Sequence, residues 1–163
     1  MLGVDYSQQS VELARGLWRK HVERAQVDQD GERLTDEDVQ FARLDILQDD
    51  PAKEIEGWPD TGFDLVLDKG TFDAISLSAE TVEGTSQRVC ELYPRRVAHM
   101  MAVGGFLMVT SCNWTEEEVV RWFTAGEGVE NVLVVYGTVK YPSFSFGGSK
   151  GQGVASVCFR KQT

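Results

Sequence analysis

The sequence predicts an α/β protein with a mostly parallel sheet that ends in an antiparallel hairpin, and three observations predict it. Short apolar runs, Phe63-Asp64-Leu65-Val66-Leu67-Asp68 and Phe106 to Thr110, are bounded by turn residues, as buried strands are. Between such runs apolar residues return at helical spacing, most plainly Val11, Ala14, Leu17, Trp18, Val22 and Ala25. The last two β-rich runs, Asn131 to Val139 and Val154 to Arg160, are joined by a Gly/Ser-rich loop, Tyr141 to Gly153. No helix fits between them, so they run antiparallel.

Each element has its own signal. Leu2-Gly3-Val4-Asp5 reads as the end of a strand, and Ser7 can cap the helix that follows. Gln26 to Asp38 is polar and acidic around Gly31, a solvated loop, and Val39 to Leu44 is a short strand ending at Asp45. Pro51, Gly57 and Pro59 punctuate a connection with room for a short helix. Lys69 to Asp73 reads as a polar loop leading towards a helix. That helix is expected over Thr85 to Met101, with Val89, Leu92, Val97, Met100 and Met101 on one face and a kink or a restart at Pro94. Gly104-Gly105 is expected to end it. Thr115 with Glu118 forms a capping-box pattern, with Trp114 and Val119 as a hydrophobic staple, so a helix starts at Thr115 and runs to about Thr124.

The 163 residues amount to one domain, with 42% hydrophobic and 26% charged residues, as in a globular protein. A net charge of −10, from 26 acidic and 16 basic side chains, repels phosphate backbones and argues against nucleic acid as a partner. Cys90, Cys112 and Cys158 form no disulfide framework, and with only His21 and His99 a metal site is not expected. No apolar stretch is long enough for a bilayer, and no signal-peptide pattern is seen, so a cytoplasmic monomer without membrane contact is the expectation.

Four segments carry a resemblance: Gly3-Val4-Asp5-Tyr6-Ser7, Asp68-Lys69-Gly70-Thr71-Phe72-Asp73-Ala74-Ile75, Thr110-Ser111-Cys112-Asn113-Trp114-Thr115 and Phe144-Ser145-Phe146-Gly147-Gly148. In this order, from residue 3 to about residue 160, the chain resembles the eukaryotic elongation factor 1-alpha lysine methyltransferases. The resemblance implies a Rossmann-like class I fold, S-adenosyl-L-methionine as methyl donor, and a lysine of elongation factor 1-alpha as acceptor. Some members of the family are also linked with intracellular transport. The expected terminal hairpin agrees, because a nicotinamide-binding sheet ordinarily continues parallel. The alternatives are a non-catalytic remnant serving as a binding module, and a methyltransferase for a small molecule. The Asn/Asp-Pro-Pro-Tyr motif used on amides and nucleobases is absent.

Against that fold, Asp5 stands where a carboxylate accepts the ribose hydroxyls of the cofactor, or else is a helix-entry residue. Asp45 stands where an acidic residue accepts the adenine amino group, with Ile46 against the ring, or else is a solvated loop aspartate. Asp68, at the end of the central strand, is the leading candidate both for a cofactor contact and for steering the acceptor ammonium and helping its proton leave. Asp73 is the second candidate for that step, and Lys69 is a functional group or a structural ion pair. Asn113 and Trp114 are placed to line an acceptor channel, Trp114 equally well being the staple residue. Phe144 and Phe146 form a channel wall or simply the hairpin loop, and Cys112 reads as a small buried residue rather than a nucleophile.

The Gly-rich loop that follows the first strand of this fold is not found, and the sequence begins at the end of the second strand. That absent strand lies between the second and fourth, so its loss is expected to leave unpaired backbone, instability and weak cofactor binding unless the second strand pairs with the fourth. A false start in the gene model is the favoured explanation, over a shortened chain or a decayed paralogue.

Overall fold

A computed structural model describes residues 1–25, 33–126, 128–142, 144–146, 149–151 and 153–163, with backbone alone at 144–146 and 149–151. These residues form two compact units, Met1–Trp58 and Pro59–Thr163.

In the first unit, strand β1 (Leu2–Asp5) pairs in parallel with β2 (Gln40–Arg43), Leu2 opposite Gln40 and Asp5 opposite Arg43. A Cβ at Gly3 would stand 2.8 Å from the Phe41 ring, which would have to shift to admit a side chain there. Helix α1 (Gln8–Arg24) is capped as expected: the Ser7 hydroxyl accepts the Ser10 N–H at 3.3 Å. Its apolar stripe is narrower than the sequence pattern, with Val11 buried and Leu17 58% exposed. At about 100° per residue Leu17 lies about 120° around the helix from Val11, off the stripe that Ala14, Trp18 and Val22 continue. A short helix α2 (Pro51–Glu54) has Asp50 as its N-cap.

The second unit opens with β3 (Phe63–Lys69), helix α3 (Thr71–Leu77), a 3₁₀ turn (Val89–Leu92) and helix α4 (Tyr93–His99). Then come β4 (Met101–Ser111), α5 (Glu116–Thr124), β5 (Leu133–Thr138), β6 (Phe144–Phe146), β7 (Ser149–Gly151) and β8 (Ala155–Lys161). The main sheet has the order β3-β4-β8-β5. β3 and β4 are parallel, and β8 is antiparallel to both of its neighbours, which is the expected ending. β6 and β7 make a small separate hairpin within the Gly/Ser-rich loop. β1 pairs with β2 in a two-stranded sheet of the first unit, and β3 is the edge strand of the main sheet.

The core of this unit lies on one face of the sheet. Leu107 and Val109 of β4 and Val157 and Phe159 of β8 face Val119 and Phe123 of α5, Val97 of α4 and Phe72 of α3, all buried. On β3 the alternation places Leu65 and Leu67 on the other face, 57% and 71% exposed.

Three sequence expectations are corrected. The helix expected over Thr85 to Met101 is only a 3₁₀ turn followed by α4. Pro94 falls in the first turn of α4, where a missing N–H costs nothing, so of the kink and the restart expected there it is the restart that forms. Gly104 and Gly105 do not end a helix but sit inside β4, where the pairing with β3 slips from Phe63–Met101 to Leu65–Phe106. Gly104 takes φ +84°, and a Cβ on Gly105 would meet the carbonyls of Ala102 and Phe63 at 2.9 Å, so both positions of this bulge need glycine. Finally, α3 begins at Thr71, inside the segment read as a polar loop.

Candidate active site

In the first unit, Asp5 and Asp45 lie at the C-terminal ends of two adjacent parallel strands, the edge where α/β sheets bind ligands. The Asp5 Oδ1 accepts the Ser7 N–H at 2.8 Å, which turns the carboxylate towards the start of α1. The Asp45 Oδ1 accepts the Leu47 N–H at 3.0 Å, and the Asp45 N–H is held by the Asp49 carboxylate at 2.7 Å. Asp49 is fixed in turn by Arg43, at 2.8 Å. Each Oδ2 of Asp5 and Asp45 takes no hydrogen bond among the described residues. Half-buried Ile46 follows directly. Two half-buried carboxylates, each with an oxygen to spare, are acceptors of the kind that ribose hydroxyls and an exocyclic amine require. A pocket of about 270 Å³ in this unit, lined by Arg15, Trp18 and Phe41 among others, lies at the Gln40 end of β2 and not with these aspartates.

In the second unit, the motif residues fold onto one another at the C-terminal ends of β3 and β4. Gly70, at φ +89°, turns the chain out of β3 into α3. Asp68 reaches across this turn: its carboxylate accepts the Thr71 N–H at 2.9 Å and the Phe72 N–H at 3.2 Å. The Tyr93 hydroxyl donates to Asp68 Oδ2 at 2.8 Å, and Asp68 is only 4% exposed. Burial holds the Asp68 carboxyl above its ordinary range, against the opposing pull of Tyr93 and the two amides. Burial and the Asp68 charge push the Tyr93 phenol well above its usual value, so it remains a donor.

Asp73, in the first turn of α3, is also buried. Its Oδ1 accepts the Ser111 hydroxyl at 2.5 Å, and its Oδ2 accepts the Cys112 N–H at 2.8 Å. The Ser111 oxygen accepts the N–H groups of Asn113 at 3.2 Å and Trp114 at 3.0 Å. The Trp114 indole donates to Ser76 at 2.8 Å, and its ring packs at 6.3 Å from Phe72 and 5.6 Å from Trp122. Trp114 is therefore half-buried between α3 and α5. Asn113 is exposed, and so is Lys69, which makes no ion pair among the described residues. Cys112, expected to be buried, is exposed, because it is the N–H of this residue that turns inward to Asp73. The side chains of Phe144 and Phe146 lie outside the described residues.

Thus Asp68, Asp73, Asn113 and Trp114 come together, and Asp5, Asp45 and Ile46 form a group of their own. Sequence reasoning missed Tyr93, Ser76 and Ser111, which supply the partners of the motif carboxylates and of Trp114. Ser111 is part of the quoted motif, but the inward amides of its neighbours are visible only in the fold. Tyr93 gave no signal. Among the described residues no helix is long and apolar enough to cross a membrane. No group of three or more His, Cys, Asp or Glu among them is placed to hold a metal ion.

No protein-family model matches the chain. Among solved structures, the N-methyltransferase NodS of Bradyrhizobium japonicum covers 99% of this chain and 73% of its own, at 13% identity and a TM-score of 0.54. A TehB-like S-adenosylmethionine-dependent methyltransferase of Corynebacterium glutamicum covers 99% and 67%, at 15% identity and a TM-score of 0.57. These likenesses show the fold, Rossmann-like and of class I methyltransferase type. In sequence, the chain is 35% identical over 160 residues to the protein-lysine N-methyltransferase efm4 of Schizosaccharomyces pombe, covering 98% of this chain and 57% of that protein. It is 35% identical to EFM4 of Saccharomyces cerevisiae, covering 99% and 60%. With human EEF1A lysine methyltransferase 2 it shares 40% identity over 102 residues, 62% of this chain and 39% of that protein. The chain spans little more than half the length of the yeast relatives. At this identity across nearly its whole length, the chain belongs to the family of EFM4 and EEF1A lysine methyltransferase 2.

Proposed function

We propose that this chain carries much of an S-adenosylmethionine-dependent protein-lysine N-methyltransferase acting on elongation factor 1-alpha, as a cytoplasmic monomer. The observation that carries the reading is the interlocking of its two family motifs: residues 68–73 and 111–114 are joined through the buried Asp73 carboxylate and leave Lys69 and Asn113 outward at the ligand edge of the sheet. In the first unit, Asp5 accepts the ribose hydroxyls, Asp45 accepts the adenine amino group and Ile46 packs on the ring. The cofactor, when bound, supplies an electrophilic methyl group on sulfur.

The rest is alignment and proton handling by this chain. The acceptor ammonium must release its proton to solvent before its nitrogen can react, and that nitrogen must lie in line with the methyl–sulfur bond. The Asn113 carboxamide oxygen accepts an N–H of the amine and so turns its lone pair. Asp68 draws the ammonium electrostatically from beneath the Lys69–Gly70 turn, since both its oxygens already hold donors. Half-buried Trp114, with its indole N–H already committed, flanks the aliphatic stem of the lysine.

The test is methyl transfer from labelled S-adenosylmethionine to purified elongation factor 1-alpha. Label on a lysine, lost with Asn113→Ala, supports the reading. Absence of label with intact cofactor binding overturns the acceptor. Absence of both label and binding favours a non-catalytic binding module.

A further inference from the structure

The two motif aspartates have different standing, and the difference yields a role for Asp73. We infer that Asp73 is a positioning residue: through Ser111 it fixes segment 112–114, and so sets where the Asn113 side chain stands, without exchanging a proton with the acceptor. The inference rests on the reading above for its catalytic consequence and on geometry alone for the fastening.

The hydrogen bonds leave little freedom. Ser111 is fully buried, and its oxygen already accepts two amides, from Asn113 and Trp114. Its own proton must therefore go to Asp73 Oδ1, at 2.5 Å. Asp73 Oδ2 faces another donor, the Cys112 N–H. Both neighbours donate, so position 73 requires a group that only accepts. Asparagine would offer one oxygen and set its NH₂ against a donor. The backbone carbonyl of Asp73 adds to the same fastening, accepting the Ser76 hydroxyl at 2.9 Å while the Ser76 oxygen holds the Trp114 indole. Three consecutive backbone N–H groups, 112 to 114, thus end on Asp73 or on its hydroxyl partner. The Asn113 side chain, one residue along and exposed, is the part left to meet a ligand.

The experiment compares the unaltered chain with Asp73→Asn, Ser111→Ala and the double variant, reading amide hydrogen exchange together with methyl transfer to elongation factor 1-alpha. In the unaltered chain the amides of 112–114 exchange more slowly than those of Glu116 and Glu117, a result that needs no variant to fold. In either single variant their exchange quickens. The kcat falls about 10²-fold, as a loop displaced by about an ångström implies, while the KM for S-adenosylmethionine changes less than about twofold. The double variant is no worse than the poorer single, because both changes cut one network. The pH profile of the remaining activity keeps its shape. Loss of a limb of that profile in Asp73→Asn but not in Ser111→Ala would make Asp73 a proton acceptor and overturn the inference. Unprotected amides at 112–114 in the unaltered chain would do the same. If the unaltered chain transfers no methyl group while those amides are protected and respond to both variants, the fastening stands and the lysine reading falls.

Discussion

Replacing Tyr93 by Phe removes a single hydroxyl from the centre of the second unit and tests how the buried Asp68 is tolerated. The ring is kept, together with its stacking at 5.8 Å on Phe72 and its edge contact at 6.2 Å with Phe123, so no cavity opens. What is lost is a 2.8 Å hydrogen bond to a carboxylate that is 4% exposed. A hydrogen bond to a charged group contributes about 1.5–3 kcal/mol, and about 2 kcal/mol is expected here at neutral pH. For a chain of this length that is a fall in Tm of roughly 4–8 °C. The loss should also depend on pH. The folded-state pKa of Asp68 lies above its unfolded value of 3.8, so the folded chain holds the proton more tightly than the unfolded one. In that window stability falls as pH rises, and above it the penalty is constant. Removing the phenol takes away a group that lowers this pKa, so the window extends upward and the penalty grows. The deficit of Tyr93→Phe is then smallest below pH 3.8, widens as Asp68 ionises, and levels off above that. Urea unfolding of both proteins from below pH 3.8 to neutral pH measures it. Equal deficits at both ends, or none at neutral pH, would refute the account of Asp68.

Other perturbations isolate single features. Thr115→Ala removes the hydroxyl that accepts the Glu118 N–H at 3.3 Å, and should cost about 1 kcal/mol in urea unfolding while sparing the sheet. Thr115 also lowers the Glu118 pKa through its N–H and hydroxyl, so NMR titration of Glu118 should show a rise in the variant. Gly62→Ala meets both a φ of +82° and the Met101 carbonyl carbon at 2.5 Å, and should lower the unfolding midpoint by more than the ~1 kcal/mol of a simple left-handed glycine. Asp5→Ala should weaken S-adenosylmethionine binding by roughly 10–100-fold in calorimetry, the equivalent of one to two lost charge-assisted bonds. An unchanged affinity would remove Asp5 from the cofactor site.

What could be read from the sequence was what is decided locally. Ser7 caps α1, and Thr115 with Glu118 boxes α5, because a cap and its partner amides lie within a few residues of one another. The reversed final strand followed from a loop too short for a crossover. The start of α3 was not legible, because Lys69-Gly70-Thr71-Phe72-Asp73 has no helical periodicity and its N-terminus is held by Asp68 from the preceding strand. Nor was the role of Gly104-Gly105, since a glycine pair looks alike at a helix end and in a bulge until the opposing strand is known.

The same distinction governs the site. A motif displays residue types, so Asp68 and Asp73, close together in the chain, read as two carboxylates available for chemistry. Their partners, Tyr93 and Ser111, lie 25 and 38 residues further along the chain and are visible only once it has folded. A buried carboxylate must be matched by donors, and here the donors are backbone amides and hydroxyls that hold two loops in place. A family motif of this kind can be kept by the needs of the loop as well as by those of the substrate. The side chains that the loops leave exposed, Lys69 and Asn113, are accordingly where direct contact with the acceptor should be sought first, and the carboxylates beneath them hold the loops that carry those side chains.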